Sequence, residues 1–138
     1  MIDHITIPVK NIELSKQFYT ETLRLIGYEI IMEFDIPEAK IVGYGKNDKP
    51  SFWIGQPLGD YPDNGSQFVT GFIRGLHLAF LANTVDEIKK WHAKAIELGG
   101  KDNGAPGARS IYHPGYYGAF IIDPDGWKIE ACLHNYVE

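Results

Sequence analysis

The sequence predicts an α+β protein built from two tandem βαβββ modules, and three observations carry this prediction. Short runs rich in β-branched and aromatic residues surround only two segments of helical periodicity. The same order of elements occurs twice along the 138 residues. A stretch rich in Gly, Pro, Asp and Asn separates the two copies, as is typical of a loop. We therefore expect module 1 over about residues 1–57, a linker over about 58–73 and module 2 over about 74–138, within a single domain.

Module 1 opens with a strand over residues 2–9, in which isoleucines alternate with polar residues. Asn11 is suited to cap the following helix, and Gly27 is suited to end it. The apolar positions expected on this helix are Leu14, Phe18 and Leu25. Three short β-rich runs follow, at residues 28–34, 39–44 and 51–55.

Module 2 repeats this order, beginning with a strand over residues 75–81. Thr84 and Glu87 form a Thr-x-x-Glu capping box that opens the clearest helix of the chain. The apolar stripe of this helix is Ile88, Trp91, Ala95 and Leu98. Three strands complete the module: one near Ser110, then 117–122 and 127–133, the last two joined by the turn at 123–126.

Three residues on these strands have side chains of the types that ligate divalent metals. His4 and His77 occupy matching points of the two opening strands, and Glu130 lies on the last strand. Two imidazoles and one carboxylate leave positions open on a divalent ion, and this set suits Fe(II), Mn(II) or Zn(II) more than Ca(II). Each residue alone has a simpler interpretation: an exposed histidine near the N-terminus, a buried hydrogen-bonded histidine, and a carboxylate paired with another side chain.

Composition excludes several classes of partner. The net charge is -5 and the 13 basic residues are scattered, so we expect no nucleic-acid partner. Cys132 is the only cysteine, which excludes an intramolecular disulfide and a Cys-rich zinc module. The N-terminus resembles no signal peptide, and no apolar run is long enough to span a bilayer. We expect a cytoplasmic protein that does not bind membranes.

The residues quoted above resemble the vicinal oxygen chelate superfamily, which contains glyoxalase I, bleomycin-resistance proteins, fosfomycin-resistance proteins and extradiol dioxygenases. The resemblance covers nearly the whole chain. It rests on the segments Asp3-His4-Ile5, Gly75-Leu76-His77-Leu78-Ala79-Phe80 and Asp123-Pro124-Asp125-Gly126-Trp127-Lys128-Ile129-Glu130. It implies a cupped, mostly antiparallel mixed sheet.

The resemblance also implies that His4, His77 and Glu130 are the metal ligands. Glyoxalase I has a fourth ligand, a glutamate on the fourth strand, and the matching position here is Trp53. Because an indole cannot ligate, lactoylglutathione isomerisation is disfavoured. The remaining set resembles the dioxygenase and fosfomycin-resistance arrangement, with Fe, Mn, Zn or Ni as the candidate metal.

A second cluster, Ser110 to Tyr117, is dense in groups that donate hydrogen bonds or move protons. We expect His113 to act as a general acid or base and Tyr116 or Tyr117 to orient a substrate oxygen. The substrate-binding candidates are Trp53, Arg109 and Tyr112, with Arg109 suited to a carboxylate. Aromatic packing is the alternative for the tyrosines and for Trp53, and a solvated loop side chain is the alternative for Arg109.

Two functions remain open from the sequence. The first is a divalent-metal-dependent enzyme of dioxygenase or lyase/isomerase type that chelates a small oxygen-rich or phenolic substrate. The alternative is a metal-free protein similar to the bleomycin-resistance proteins, which sequesters a small molecule in an aromatic groove. In either case the resemblance implies a homodimer.

Overall fold

The computed structural model describes residues 2–37, 39–58 and 76–137. The elements are β1 (Ile5–Pro8), α1 (Ile12–Leu23), the 3-10 helix η1 (Arg24–Ile26), β2 (Glu29–Ile36), β3 (Ala39–Lys46), β4 (Lys49–Pro57), β5 (His77–Leu81), α2 (Val85–Glu97), β6 (Lys101–Ala108), β7 (Tyr117–Ile122) and β8 (Lys128–Leu133). This order confirms the predicted α+β fold with two βαβββ modules. Neither of the two α-helices in these ranges is long and apolar enough to cross a membrane.

The two modules have the same sheet topology. The strands of the first sheet lie in the order β1-β4-β3-β2, and those of the second in the order β5-β8-β7-β6. In each sheet the opening strand runs parallel to the last strand, and the other two pairings are antiparallel. Both sheets are therefore mixed and mostly antiparallel, as expected.

The described residues divide into two compact units. Residues 2–20 and 28–58 form the first unit, and residues 21–27 and 76–137 form the second. The end of α1 and η1 thus group with the second unit, where η1 contacts α2. The predicted linker, apart from residue 58, lies outside the described residues.

The first unit is built around an aromatic core beneath α1. The helix begins at Asn11, whose side-chain oxygen accepts hydrogen bonds from the amides of Glu13 and Leu14 at 3.1 Å. Tyr19 on α1 packs its ring edge against Phe52 of β4 at 5.0 Å between centroids. The expected apolar position at Leu14 is wrong, because this side chain is 63% exposed. Phe18 is buried as expected, and the other buried residues of α1 in this unit are Ile12, Ser15 and Tyr19.

The second unit has α2 packed against β6, β7 and β8. The predicted capping box is present: the Glu87 amide donates to Thr84 Oγ1 at 3.1 Å, and Glu87 Oε2 accepts from the Thr84 amide at 3.3 Å. Three positions of the predicted stripe are buried, and Leu98 is half-buried. The buried three are Ile88, Trp91 and Ala95.

Thr84→Ala should lower the free energy of unfolding by about 1 kcal/mol, since the Glu87 amide loses its capping acceptor. Thr84→Ser is the matched control, because it keeps the capping oxygen. Urea titration followed by far-UV circular dichroism measures both variants. Equal midpoints for the serine and alanine variants would contradict the assigned cap.

The strand that follows α2 differs from the expectation near Ser110. The strand is β6, which ends at Ala108, and Ser110 lies in the turn that follows. Its sequence, KDNGAPGA, has low β-propensity, and its register with β7 shifts twice, between Asp102 and Gly104 and between Gly104 and Gly107. β6 is the edge strand of this sheet and pairs with β7, which is itself paired with β8. The pairing with β7, rather than the composition of β6, therefore explains the strand.

Candidate metal and substrate site

The candidate site of the second unit is centred on the carboxylate of Glu130. The side chain is only 4% exposed, although carboxylates are rarely buried without a partner. Its Oε2 lies 2.9 Å from His77 Nε2, and its Oε1 accepts a hydrogen bond from the Tyr116 hydroxyl at 2.6 Å. Both carboxylate oxygens are therefore engaged, one by an imidazole and one by a phenol.

The strand register explains how these side chains meet. On β8, Glu130 pairs with Ala79 of β5 and with Phe120 of β7. His77 lies two residues before Ala79, so its side chain emerges on the same face of the sheet as Glu130. Gly118 of β7 pairs with Cys132, two residues after Glu130. Tyr116 lies two residues before Gly118, so its side chain is on this face as well.

Gly118 provides the space in which the carboxylate and the phenol lie. A Cβ atom at this position would be 2.8 Å from Glu130 Oε1 and 3.2 Å from Tyr116 Cε1. Both contacts are tighter than side chains normally adopt, so a larger residue would displace the hydrogen bond. Sequence reasoning missed this residue, for which the available signal was a glycine inside a predicted strand.

The two sides of Glu130 differ in their access to solvent. His77 is 46% exposed, and its ring lies edge-on to Phe120 at 6.0 Å between centroids. Burial, followed by the hydrogen bond to Glu130, raises the pKa of Tyr116 above its ordinary value. Tyr116 is therefore a stable hydrogen-bond donor at neutral pH, and the open side of the carboxylate is the side that faces His77.

Cys132 lies beside this site on β8 and is buried. Burial raises the pKa of its thiol. The thiol form prevails at neutral pH, as is typical of a cysteine that packs among apolar residues.

The predicted catalytic residue His113 contacts His134, which follows β8, and makes no described hydrogen bond with Glu130. Its Nε2 is 2.9 Å from His134 Nδ1, and its Nδ1 is 2.6 Å from the carbonyl oxygen of Pro114. The Tyr116 ring lies edge-on to both imidazoles. Tyr116 is thus the residue that contacts both the histidine pair and the buried carboxylate.

The other predicted residues of this cluster have different surroundings. Tyr117 is buried and packs against Tyr136 at 5.0 Å between ring centroids. Arg109 donates to the carbonyl oxygens of Ala105 and Ala108 at 2.6 and 3.1 Å. Tyr112 is 60% exposed. Tyr117 is placed as a packing residue, whereas the other two are reachable from solvent.

His4 and Trp53 belong to the first unit. The His4 side chain is 57% exposed, and its Nδ1 lies 2.9 Å from Asp3 Oδ1. The hydrogen bond from Lys49 to Asp3, and then the one that involves His4, lower the pKa of the Asp3 carboxyl. The His4 imidazole therefore contacts an ionised carboxylate at neutral pH.

Trp53 occupies in the first sheet the position that Glu130 occupies in the second. Trp53 pairs with Thr6, two residues after His4, just as Glu130 pairs with Ala79, two residues after His77. The indole covers Gly43, where a Cβ atom would lie 2.5 Å from the ring, and it stacks on Phe34 at 6.0 Å with 17° between the planes.

Trp53 and Phe34 line an open cavity of about 380 Å³. Its wall is completed by Asp3, His4, Thr6, Ile41, Lys49 and Pro50. The expected contribution of Trp53 to a pocket wall is compatible with this position. Phe34 and Gly43 were not predicted from the sequence.

The predicted trio is brought together in part. His77 and Glu130 are in contact, whereas His4 is described within the other unit. Among residues 2–37, 39–58 and 76–137, no group of three His, Cys, Asp or Glu side chains is placed to hold a metal ion. The three-ligand site therefore stays a prediction.

The repeated βαβββ fold and the histidine and glutamate at its strands define a class of protein. The family model of the Glyoxalase/Bleomycin resistance protein/Dioxygenase superfamily matches residues 1–131. The chain belongs to this superfamily. Glyoxalase I, a metal-dependent enzyme, is one of its members.

Several solved structures are similar to this chain. A glyoxalase/bleomycin resistance protein from Albidiferax ferrireducens is 26% identical with a TM-score of 0.67, over 94% of this chain and 96% of that one. A glyoxylase/bleomycin resistance protein/dioxygenase domain from Frankia is 14% identical with a TM-score of 0.68, over 98% of both chains. Glyoxalase I from Zea mays is 22% identical with a TM-score of 0.63, over 94% of this chain and 44% of that one. No curated protein sequence matches the chain.

Proposed function

We propose that the protein is a divalent-metal-dependent enzyme that chelates a small oxygen-rich or phenolic substrate. His77 and Glu130 would hold the metal, with His4 as the third ligand, and Fe, Mn, Zn and Ni are the candidates. The observation that carries this proposal is the buried Glu130 carboxylate, which lies between the His77 imidazole and the Tyr116 hydroxyl.

The donor atoms of this pair suit a metal ion. Two ligands bound to one ion at about 2.1 Å each and at a right angle are about 3 Å apart, and His77 Nε2 lies 2.9 Å from Glu130 Oε2. A cation would also offset the cost of burying the carboxylate. The metal would supply Lewis acidity that stabilises an enolate, alkoxide or catecholate oxygen.

The protein side chains would divide the remaining work. Tyr116 donates to Oε1 and so fixes the carboxylate plane, which leaves Oε2 directed toward His77. The exposed side of His77 leaves room for a substrate. The contacts of His113 with Pro114 and His134 support a role in positioning Tyr116 more than direct proton transfer.

The residue at the position of a fourth ligand supports one reaction class over another. Trp53 takes the position equivalent to Glu130, so the first sheet offers a flat apolar surface where a second carboxylate would stand. This favours direct chelation, as in ring-cleaving dioxygenation, over isomerisation that needs a second base. A lyase remains compatible with the same ligand set.

Metal titration of the metal-stripped protein tests the proposal. We expect one equivalent of Fe(II), Mn(II), Zn(II) or Ni(II) to bind in calorimetry and to be lost in His77→Ala. His92→Gln is the matched control, because His92 pairs with Asp102 at a different place in the same unit. No difference between these two variants for any of the metals would overturn the proposed ligands.

Tyr116→Phe should weaken metal binding by about tenfold to 100-fold, because it removes the hydrogen bond that orients Glu130. The ring contacts remain, so the fold should be unaffected. Tyr112→Phe is the matched control, since its hydroxyl is on an exposed side chain. Calorimetry with Mn(II) or Zn(II) measures both, and equal affinities in the two variants would contradict the positioning role.

A second candidate function is metal-free sequestration of a planar small molecule. The stacked Trp53 and Phe34 rings beside the 380 Å³ cavity favour it. A screen of aromatic compounds against metal-stripped protein, read by tryptophan fluorescence, separates the two functions. Tight capture that is lost in Trp53→Ala but kept in Glu130→Gln would support sequestration.

We further propose a cytoplasmic homodimer. The buried free thiol of Cys132 is compatible with a reducing compartment, and the superfamily resemblance supports pairing of two chains. Analytical ultracentrifugation over a range of concentrations tests the dimer. A monomer at high concentration would contradict it.

A further inference from the structure

We propose that Arg109 binds the acid group of a substrate whose other oxygens reach the metal at His77 and Glu130. This inference rests on the proposed function and narrows its substrate class to a phenolic or oxygen-rich carboxylic acid. The observation that starts the argument is the position of the Arg109 guanidinium, which lies over the ring of Phe120 at 5.5 Å from the centroid.

Phe120 places this cation on the face of the second sheet that carries the candidate ligands. Phe120 pairs with Glu130 across β7 and β8, and residues paired across antiparallel strands point to the same face. The Phe120 ring also contacts the His77 ring at 6.0 Å between centroids. Arg109 and His77 therefore contact the same aromatic side chain.

Two paired glycines make room for Arg109 and Glu130 beside each other. Gly107 of β6 pairs with Gly118 of β7, so both would direct a side chain to the same face. A Cβ atom at Gly107 would lie 2.7 Å from Arg109 Nη1, just as a Cβ atom at Gly118 would lie 2.8 Å from Glu130 Oε1. The guanidinium and the carboxylate thus occupy neighbouring places above two adjacent strands.

Backbone carbonyls hold the guanidinium in place before any ligand binds. Arg109 Nη2 donates to the Ala105 carbonyl oxygen at 2.6 Å, and Nη1 donates to that of Ala108 at 3.1 Å. A guanidinium carries more N–H groups than these two bonds use, so donors remain for a ligand. Because the side chain is already ordered, little rotamer freedom is lost on binding, which favours affinity.

The positive charge of Arg109 lacks a negative partner. Within the part of the chain that the structure describes, its side chain forms no ion pair. The nearby carboxylate of Glu130 is engaged by His77 and Tyr116 instead. Arg109 is half-buried against an apolar ring, where an unpaired charge is costly. An anionic ligand would supply the missing charge.

The shape and charge of the guanidinium favour a carboxylate. Its planar N–H groups match the two oxygens of a carboxylate, and one positive charge balances one negative charge. A phosphate dianion would need a second cation for the same balance. The substrate would therefore carry its metal-binding oxygens at one end and its acid group at the other.

The test compares acids with amides of the same shape. The probes are meta- and para-hydroxybenzoate and the two corresponding hydroxybenzamides, which keep the ring and the phenol but carry no negative charge on the substituent. NMR titration of the Zn(II)-loaded protein measures the dissociation constants. We expect at least one of the acids to bind about tenfold or more tightly than its amide, as a charge-assisted hydrogen bond to Arg109 would produce.

Four variants assign the preference for the acid to Arg109. Arg109→Gln should remove the preference, whereas Arg109→Lys should keep part of it, because the charge stays but the planar fork is lost. Gly107→Ala should reduce it while the charge stays, since the new Cβ displaces Nη1. Arg24→Gln is the matched control, because that exposed arginine pairs with Glu21, and it should keep the full preference.

Equal affinities of acid and amide in the wild-type protein would overturn this inference. A preference that survives in Arg109→Gln would also overturn it, because the acid would then bind the metal directly. The same titrations on metal-stripped protein measure the contribution of Arg109 alone. Failure of Zn(II) to bind would therefore count against the proposed function, while the preference in metal-stripped protein would still decide whether Arg109 binds the acid.

Discussion

Glu130→Gln is expected to lower the affinity of the protein for Mn(II) or Zn(II) by about 100-fold or more, since loss of a partner outside the ligand shell already costs about tenfold to 100-fold. The substitution is nearly isosteric. The amide oxygen can still accept from Tyr116, but the negative charge and one acceptor oxygen are lost. The change in metal affinity therefore reports the loss of the negative charge and of one acceptor oxygen, because the packing of the side chain is nearly unchanged.

One comparison makes this experiment decisive. Glu97→Gln is the matched control, because that carboxylate is exposed and pairs with Lys94. Wild-type affinity and stoichiometry in Glu130→Gln would show that the buried carboxylate is not a ligand.

Trp91→Ala is expected to lower the free energy of unfolding by about 3–5 kcal/mol. The side chain is 1% exposed and lies on the face of α2 that packs against β6, β7 and β8. Its removal loses apolar burial and leaves a cavity that the surrounding strands fill only in part. Urea denaturation monitored by far-UV circular dichroism measures the change.

Trp53→Ala is the matched control for this substitution. Trp53 is half-buried on an open cavity, so its removal should cost much less stability while affecting ligand capture. Similar losses of stability in Trp53→Ala and Trp91→Ala would contradict the assignment of Trp91 to the core.

The elements that the sequence predicted well are those with strong local signals. The capping box at Thr84 and Glu87, the stripe through Trp91 and the glycine and proline stops depend only on neighbouring residues. The strand β6 was predicted too late in the chain, near Ser110, because its residues have low β-propensity and its position depends on pairing with β7.

The candidate site was predictable in its residue types but not in its contacts. Resemblance indicated His77 and Glu130, whose contact requires the register of two parallel strands that are distant in sequence. The hydrogen bond of Tyr116 to Glu130 depends on the space above Gly118, which only the three-dimensional packing reveals. Likewise, nothing in the order of residues indicates that His113 faces His134 rather than a substrate.

The equivalence of Trp53 and Glu130 has a consequence for how the repeat can change. The indole fills the surface above Gly43, so this glycine and the tryptophan form one fitted pair. A glutamate at position 53 would therefore uncover bare backbone and the exposed Phe34 ring, instead of recreating the chemistry of the second sheet. The two halves share a backbone plan but are no longer interchangeable in their chemistry: one provides charge, and the other provides a flat surface on which an uncharged ring can rest.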